Sequence, residues 1–344
     1  MKYKTIPENL RPPLNGKYYW LWRLARTRLE ELPWILKRIF KINHLTSGYY
    51  ETPAHWVEHS KRAEEIALNI RGDNYKPAIF VHGIMPRCGS NIVHDILDNH
   101  PDVIGRELGI SEFPVLCNSR AMDAFFASVV ARHRKVAENV SGIEAMAFFA
   151  SGWMADIQAR IGQEKTAVIK MPSVQHLELF NSLFPRDKLV IVVRDGRDIL
   201  QSTLDSWKDS RTFMRSESAI AREYAAAAKE ITAFTSRSKS DEKLNFHLFR
   251  YEDYIASPSE SATELYTLLD LNFDESVVTS SATLPLRGSS TAMGDAPLDW
   301  EPKQKPLDFQ PTRKWKQWTT QRKNLFSSIA GQALKDLGYD NSAN

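Results

Sequence analysis

The sequence has 344 residues, of which 42% are hydrophobic and 25% charged, with 15 glycines and 17 prolines, and this composition excludes collagenous, low-complexity and disordered chains. The formal net charge of +3 is too small to predict binding to nucleic acid. Two cysteines, Cys88 and Cys117, are too few for a disulfide framework or a cysteine-rich zinc site, so no metal is expected.

Residues 1–75 are predicted to form a helical, amphipathic arm ahead of a larger domain at 76–344. Basic side chains are concentrated near the start of the arm, where they alternate with aromatic residues and with apolar residues at near-helical spacing. Such a stripe packs on a core or a second subunit, as in a homodimer, or lies on an anionic membrane through residues 17–42. No apolar run is long enough to cross a bilayer and no signal peptide is evident, so we expect a cytoplasmic protein, with membrane association left open.

Beyond the arm, short apolar runs alternate with helical patterns. Continuous apolar runs, typical of strands buried on both faces, lie at 77–82, 166–170, 188–193 and 245–249. Helical patterns lie at 144–161, 174–184, 197–207, 217–236, 258–270 and 320–337. The alternation predicts an α/β fold with three layers, in which helices flank a central, mainly parallel sheet.

A loop bounded by two glycines follows the first predicted strand. It runs from Gly83 to Asn91 as Gly-Ile-Met-Pro-Arg-Cys-Gly-Ser-Asn and leads into a helix. Its backbone amides could surround an anion, with Arg87 supplying charge and Ser90 a hydroxyl. The glycine spacing is longer than in a Walker A loop and no lysine follows, so the loop is only P-loop-like. By itself it fits an anion site or a plain turn.

A second turn follows the strand at 188–193. Arg194 ends that strand, Gly196 lies in the turn, and Ser202 lies in the next helix. A buried guanidinium needs a partner, which could be Asp195, Asp198 or an anionic ligand. Because the ends of parallel strands share one edge of the sheet, the two arginine-containing turns predict one ligand with two separated anionic groups.

Together these motifs resemble those of PAPS-dependent sulfotransferases. The matching segments are the loop 83–91, His100-Pro-Asp-Val103, Lys170-Met-Pro172, the turn 192–198 with Ser202, Arg250-Tyr-Glu-Asp253, Lys314-Trp315 and Leu337-Gly-Tyr339. They keep the family's order from about residue 76 to 340. The resemblance implies a P-loop-like O-sulfotransferase that uses 3'-phosphoadenosine 5'-phosphosulfate (PAPS), yields adenosine 3',5'-bisphosphate (PAP), and needs no metal.

The resemblance also implies which residues bind the donor. For the 5'-phosphosulfate they are Arg87, Cys88, Gly89, Ser90 and Asn91, and for the 3'-phosphate Arg194 and Ser202. Ser290 and Lys314 fall in the late segment that closes over the nucleotide. Cys88, Ser90 and Asn91 depart from the commoner Arg-Ser-Gly-Thr-Thr, and Asn91 replaces a hydroxyl by an amide.

Three catalytic residues are implied in the same way. Arg87 and Lys170 would stabilise the sulfate and the departing phosphate, although Lys170 could instead form a surface salt bridge. Cytosolic members use a histidine two residues after this lysine, where the chain has Pro172. Tyrosylprotein sulfotransferases place a glutamate after His-Pro-Asp-Val, which makes Glu107 the candidate base and Glu112 the second candidate.

The acceptor is expected to carry a hydroxyl, and a carbohydrate is the first expectation. A tyrosine, another phenol and a lipid-linked hydroxyl are alternatives. A kinase that uses ATP with magnesium and a non-catalytic nucleotide-binding protein are the other classes considered. Glu252 and Asp253 are expected to cap the helix that follows them.

Overall fold

The computed structural model describes residues 52, 54–109, 112–113, 115–116, 141–207, 216–238, 246–289 and 301–340. The strands are β1 Ile79–Gly83, β2 Val103–Ile104, β3 Thr166–Met171, β4 Lys188–Val193 and β5 Phe246–Arg250. The α-helices are α1 Ala54–Glu58, α2 Ser60–Arg71, α3 Ser90–Asp98, α4 Gly142–Ile161, α5 Phe180–Leu183, α6 Gly196–Trp207, α7 Glu217–Ser238, α8 Tyr251–Ala256, α9 Pro258–Leu268, α10 Glu275–Ala282 and α11 Thr320–Asp336. Short 3-10 helices lie at Arg106–Leu108, Leu177–Leu179 and Lys314–Gln317.

The strands form one parallel sheet in the order β2-β3-β1-β4-β5. All four predicted apolar runs are strands of this sheet, and the predicted α/β class is confirmed. β1 is buried at every position, because it pairs with β3 on one side and with β4 on the other. β2 was not predicted, since two residues are too few to show a periodic pattern.

The helix α3 packs directly on β1, β2 and β3. Two further groups of helices pack together, one of α2, α4 and α5 and the other of α6, α7 and α11. α2 belongs to the segment predicted as an arm, and residues 1–51 of that segment lie outside the described residues. No helix within the described ranges combines the length and apolarity that a membrane span requires.

The predicted helix at 174–184 is wrong in its first half. His176 has a left-handed backbone (φ 54°), and its ring nitrogen Nδ1 lies 3.0 Å from Oγ1 of Thr52. Its ring packs edge-on against Trp56. Only a 3-10 turn and the short helix α5 follow, because the chain must bend at His176 to make these contacts.

The central strand β1 determines where a ligand can bind. The sheet extends in both directions from β1, so the chain leaves the carboxyl ends of β3, β1 and β4 toward one crevice. Open parallel sheets bind ligands in such a crevice. The two arginine-containing turns and Lys170 all lie at this edge.

The helix α4, which leads into β3 and hence to Lys170, begins with a capping box. The Ser141 hydroxyl accepts from the Glu144 N–H, and the Glu144 carboxylate accepts from the Ser141 N–H. We expect Ser141→Ala to lower the free energy of unfolding by about 1 kcal/mol, measured by urea denaturation. Ser60→Ala is the control, because the exposed Ser60 hydroxyl caps no helix N–H. An equal loss in both variants would contradict the role of the cap.

Candidate active site

The loop after β1 is shaped by close packing. Gly89 has φ 99°, and a Cβ there would lie 2.3 Å from the Tyr251 ring. A Cβ on Gly83 would lie 2.4 Å from the sulfur of Cys88. Cys88 itself is buried inside the loop, and burial raises the pKa of its thiol. The loop therefore runs against Tyr251, with Ser90 opening the helix α3.

The turn after β4 is held by charged side chains whose partners lie in the turn and beyond it. The Asp195 carboxylate pairs with Arg197, whose Nη2 lies 2.8 Å from Oδ2. The Asp195 N–H donates to Glu252, and Asp198 accepts from the N–H groups of Arg313 and Lys314. Burial and the neighbouring Asp195 raise the pKa of Asp198 to about 6.

Arg194 is buried and makes no ion pair with a described residue. Its Nη1 donates to the Arg87 carbonyl at 2.7 Å, and its Nη2 donates to the Pro311 carbonyl at 2.6 Å. The guanidinium lies over the Tyr251 ring, 4.4 Å from its centroid, and Nε is buried without a hydrogen-bond partner. The alternative of an ion pair with Asp195 or Asp198 is wrong, because both carboxylates are bound elsewhere.

Arg87 is a second cation within the same site, and it is half-buried. Its Nε donates to the Ser202 hydroxyl at 3.2 Å, and its Nη2 donates to the Gly288 carbonyl at 2.6 Å. Burial, and then repulsion from Arg194, lower the pKa of Arg87 to about 10. Two guanidinium groups are thus held together by uncharged oxygens, an arrangement that a bound anion would stabilise.

Lys170 and Glu112 form a pair at the next strand end. The Lys170 ammonium lies 2.7 Å from Oε1 of Glu112, and the two residues form a parallel backbone bridge. Lys170 is buried, whereas the Glu112 side chain is 44% exposed. Glu112 can therefore meet both the buried cation and a molecule that enters from solvent.

One cavity of about 120 Å³ joins these groups. Its lining includes seven predicted site residues, namely Arg87, Gly89, Ser90, Asn91, Lys170, Arg194 and Ser202. Glu112, Tyr251, Arg287 and the backbone of Gly288 and Pro311 complete much of the wall. The structure therefore brings most of the predicted donor site together in one place.

Two other predicted donor residues do not line that cavity, and a third is not among the described residues. Lys314 lines a neighbouring cavity, where its ammonium lies 3.9 Å from Asp205. Cys88 is buried behind the loop surface. Ser290 lies outside the described residues, although its neighbour Ser289 lines the cavity.

The structure does not bring Glu107 into the cavity. Glu107 is an exposed residue of the 3-10 helix Arg106–Leu108, whereas Glu112, the second candidate, lies in the cavity wall. Glu112 forms a parallel backbone bridge with Lys170, near the end of β3. Of the two candidate carboxylates, Glu112 is therefore the one that lines the cavity.

Two features of the Arg250-Tyr-Glu-Asp253 segment differ from expectation. Glu252 does not cap α8, since no side-chain cap is made there. Its carboxylate instead accepts from the Asp195 N–H and the Tyr339 hydroxyl, both at 2.9 Å. Tyr251, which sequence analysis did not assign to the site, lies against Gly89 and Arg194. The sequence signal that could have assigned Tyr251 to the site was its position within the Arg250-Tyr-Glu-Asp253 motif.

Comparison with known proteins agrees with the motifs. The family model described as "Sulfotransferase family" matches residues 77–275. No curated protein matches the chain. Within the described residues, no cluster of His, Cys, Asp and Glu could hold a metal ion.

Solved structures similar to the chain include three sulfotransferases. The sulfotransferase domain of the curacin biosynthetic pathway is 18% identical, with a TM-score of 0.44, and the match covers 77% of this chain and 99% of that one. The domain from the Synechococcus PCC 7002 olefin synthase is 18% identical, with a TM-score of 0.45 and coverage of 74% and 94%. A mouse sulfotransferase complexed with PAP is 13% identical, with a TM-score of 0.43 and coverage of 79% and 90%.

Proposed function

The chain belongs to the sulfotransferase family, and from that membership we propose that it transfers the sulfuryl group of PAPS to an acceptor hydroxyl. The observation that carries the proposal is the pair of guanidinium groups of Arg87, which is half-buried, and Arg194, which is buried; they share one cavity and make no ion pair with a described residue. A bound anion would offset the cost of holding these two cations together without a charged partner. PAPS carries anionic groups at both ends of its ribose.

The residues of the cavity fit both ends of such a donor. Arg194, with an unpartnered buried Nε, and the hydroxyl-bearing Ser202 would bind the 3'-phosphate. The helix α3 begins at Ser90. The backbone amides of the loop up to Ser90 would bind the 5'-phosphosulfate together with Arg87. Tyr251 offers an aromatic wall between these groups.

When bound, PAPS supplies an activated sulfuryl group that needs less charge neutralisation than a phosphoryl group. Glu112 would take the proton of the acceptor hydroxyl as the hydroxyl oxygen bonds to sulfur. Lys170 and Arg87 would stabilise the negative charge on the sulfate and on the phosphate oxygen that departs as its bond to sulfur breaks. Lys170 already lies 2.7 Å from Glu112, so one buried cation holds the base beside the cavity.

For the acceptor, we propose a carbohydrate hydroxyl, with phenolic and lipid-linked hydroxyls as the alternatives. The half-exposed Glu112 supports an acceptor that enters from solvent. A screen of all three hydroxyl classes with sulfur-labelled PAPS would identify the class by the labelled product. Labelling confined to phenols or lipids would overturn the carbohydrate proposal and leave the donor assignment intact.

The donor assignment predicts a preference between two nucleotides. We expect calorimetry in the presence of a chelator to show that the protein binds PAP tenfold or more tightly than adenosine 5'-phosphate, because charge-assisted hydrogen bonds to the 3'-phosphate add affinity. Equal affinity for the two nucleotides would contradict the 3'-phosphate site. Tight binding of ATP that requires magnesium would favour a kinase instead.

A further inference from the structure

The segment that contains Pro311 completes the wall behind Arg194. The buried Pro311 carbonyl accepts from Nη2 of Arg194, while Nη1 donates to the Arg87 carbonyl. The direction of the guanidinium is thus set by one carbonyl of the first loop and one carbonyl from more than a hundred residues further along the chain. The Pro311 carbonyl can fix the direction of the guanidinium only if the segment that contains Pro311 is itself held in place.

Asp198 holds that segment. Asp198 is 2% exposed, and its carboxylate accepts from the N–H of Arg313 at 2.7 Å and from the N–H of Lys314 at 2.9 Å. Arg313 has a left-handed backbone (φ 63°), an uncommon conformation for a side-chain-bearing residue, and the 3-10 helix Lys314–Gln317 begins immediately after it. The carboxylate therefore satisfies two helix-start donors and supports a strained turn.

Asp198 and Arg194 are also linked through the chain. Asp198 lies in the first turn of α6, four residues after Arg194. The segment 311–314 spans from the guanidinium of one residue to the carboxylate of the other. The neighbouring Arg197 does not compete for Asp198, because its guanidinium pairs with Asp195.

We propose that Asp198 is a positioning residue for the donor site, which fastens the Arg313–Lys314 turn so that Pro311 directs the Arg194 guanidinium toward the 3'-phosphate. This inference rests on the proposed function. Asp198 does not line the cavity that contains Arg194, so it acts through the turn and not by contact with the donor.

Electrostatics alone and the proposed positioning role predict opposite changes in the affinity for PAP when the Asp198 charge is removed. Asp198 is a negative charge near Arg194, and its field acts against the binding of an anion there. Removal of the charge alone would therefore tighten the binding of PAP. If the carboxylate acts by fastening the turn, its replacement by an amide weakens binding instead, because the amide NH₂ faces backbone N–H donors.

The test measures the affinity of Asp198→Asn for PAP and for adenosine 5'-phosphate by calorimetry at pH 8, where the wild-type carboxylate is ionised. We expect the affinity for PAP to fall by about tenfold, since one hydrogen bond to a charged group is replaced by an unfavourable contact. We expect the affinity for adenosine 5'-phosphate to stay within twofold. Equal weakening of both ligands, unchanged affinity for PAP, or tighter binding of PAP would each overturn the proposal.

Asp205→Asn is the matched control. Asp205 belongs to the same helix and lies near the side chains of Gln201 and Lys314, with no backbone N–H of the segment as its partner. We expect this variant to bind PAP no more weakly than the wild type. If Asp205→Asn weakens PAP binding as much as Asp198→Asn does, the effect comes from the loss of a negative charge on α6 and the proposal fails.

A measurement on the unmodified protein covers the case in which Asp198→Asn does not fold. Hydrogen exchange resolved at single amides should show protection at Arg313 and Lys314 before any nucleotide is added. Rapid exchange at both amides would overturn the proposal. A wild-type protein with no preference for PAP would instead contradict the proposed function, so the two failures are distinguishable.

Discussion

Arg194→Ala is expected to weaken the binding of PAP by about 100-fold while leaving the affinity for adenosine 5'-phosphate nearly unchanged. The guanidinium is buried, its direction is fixed by two carbonyl oxygens, and its Nε has no partner. A phosphate that reaches it gains charge-assisted hydrogen bonds without ordering a mobile side chain. Calorimetric titration of both nucleotides measures the difference.

The same substitution separates a binding role from a structural one. Arg194 lies near Arg87 and lowers the pKa of that side chain, so its removal relieves repulsion as well as breaking two hydrogen bonds to carbonyls. We therefore expect little change in the free energy of unfolding without nucleotide. Arg186→Ala is the control for the loss of an arginine elsewhere in the protein, because Arg186 precedes β4 and pairs with the exposed Asp73. Loss of both nucleotide affinities in Arg194→Ala would contradict a specific 3'-phosphate contact.

Sequence patterns were sufficient to predict the convergence of the cations. Continuous apolar runs identified β1, β3 and β4, and parallel strands place their carboxyl ends at one edge. Arg87 and Arg194 follow β1 and β4, and Lys170 lies near the carboxyl end of β3, so the sheet brings the three cations to one edge. The ordered strand ends therefore carried most of the information about the site.

Sequence patterns did not predict the contacts made by the loops. Glu107 and Glu112 are both acidic and lie five residues apart, and no periodicity distinguishes them. The choice is made by a backbone bridge to Lys170, a contact between residues 58 positions apart. The carbonyls of Gly288 and Pro311 carry no side-chain signal, because every residue has a carbonyl. Glu252 fits a helix cap locally, yet it bonds to Asp195 and Tyr339 from distant segments.

Glu112→Gln is expected to lower turnover by about 10²-fold or more, the usual scale for loss of a general base. The glutamine carbonyl can still accept from the Lys170 ammonium, so the pairing at the end of β3 is kept while the basic oxygen is lost. The affinity for PAP should stay within about threefold, since the cations that would bind the nucleotide are unchanged. Labelled sulfate transfer at saturating PAPS measures the turnover.

Glu107→Gln discriminates between the two carboxylates. It makes the same chemical change on an exposed 3-10 helix outside the cavity, so turnover should match that of the unmodified protein. Full activity in Glu112→Gln together with a large loss in Glu107→Gln would reverse the assignment and require the 3-10 helix to move onto the end of β3. A large loss in Glu112→Gln alone, with PAP affinity intact, would place proton removal at the carboxylate that contacts Lys170. The acceptor hydroxyl would then enter along the exposed side of Glu112, because the opposite side is occupied by the ammonium.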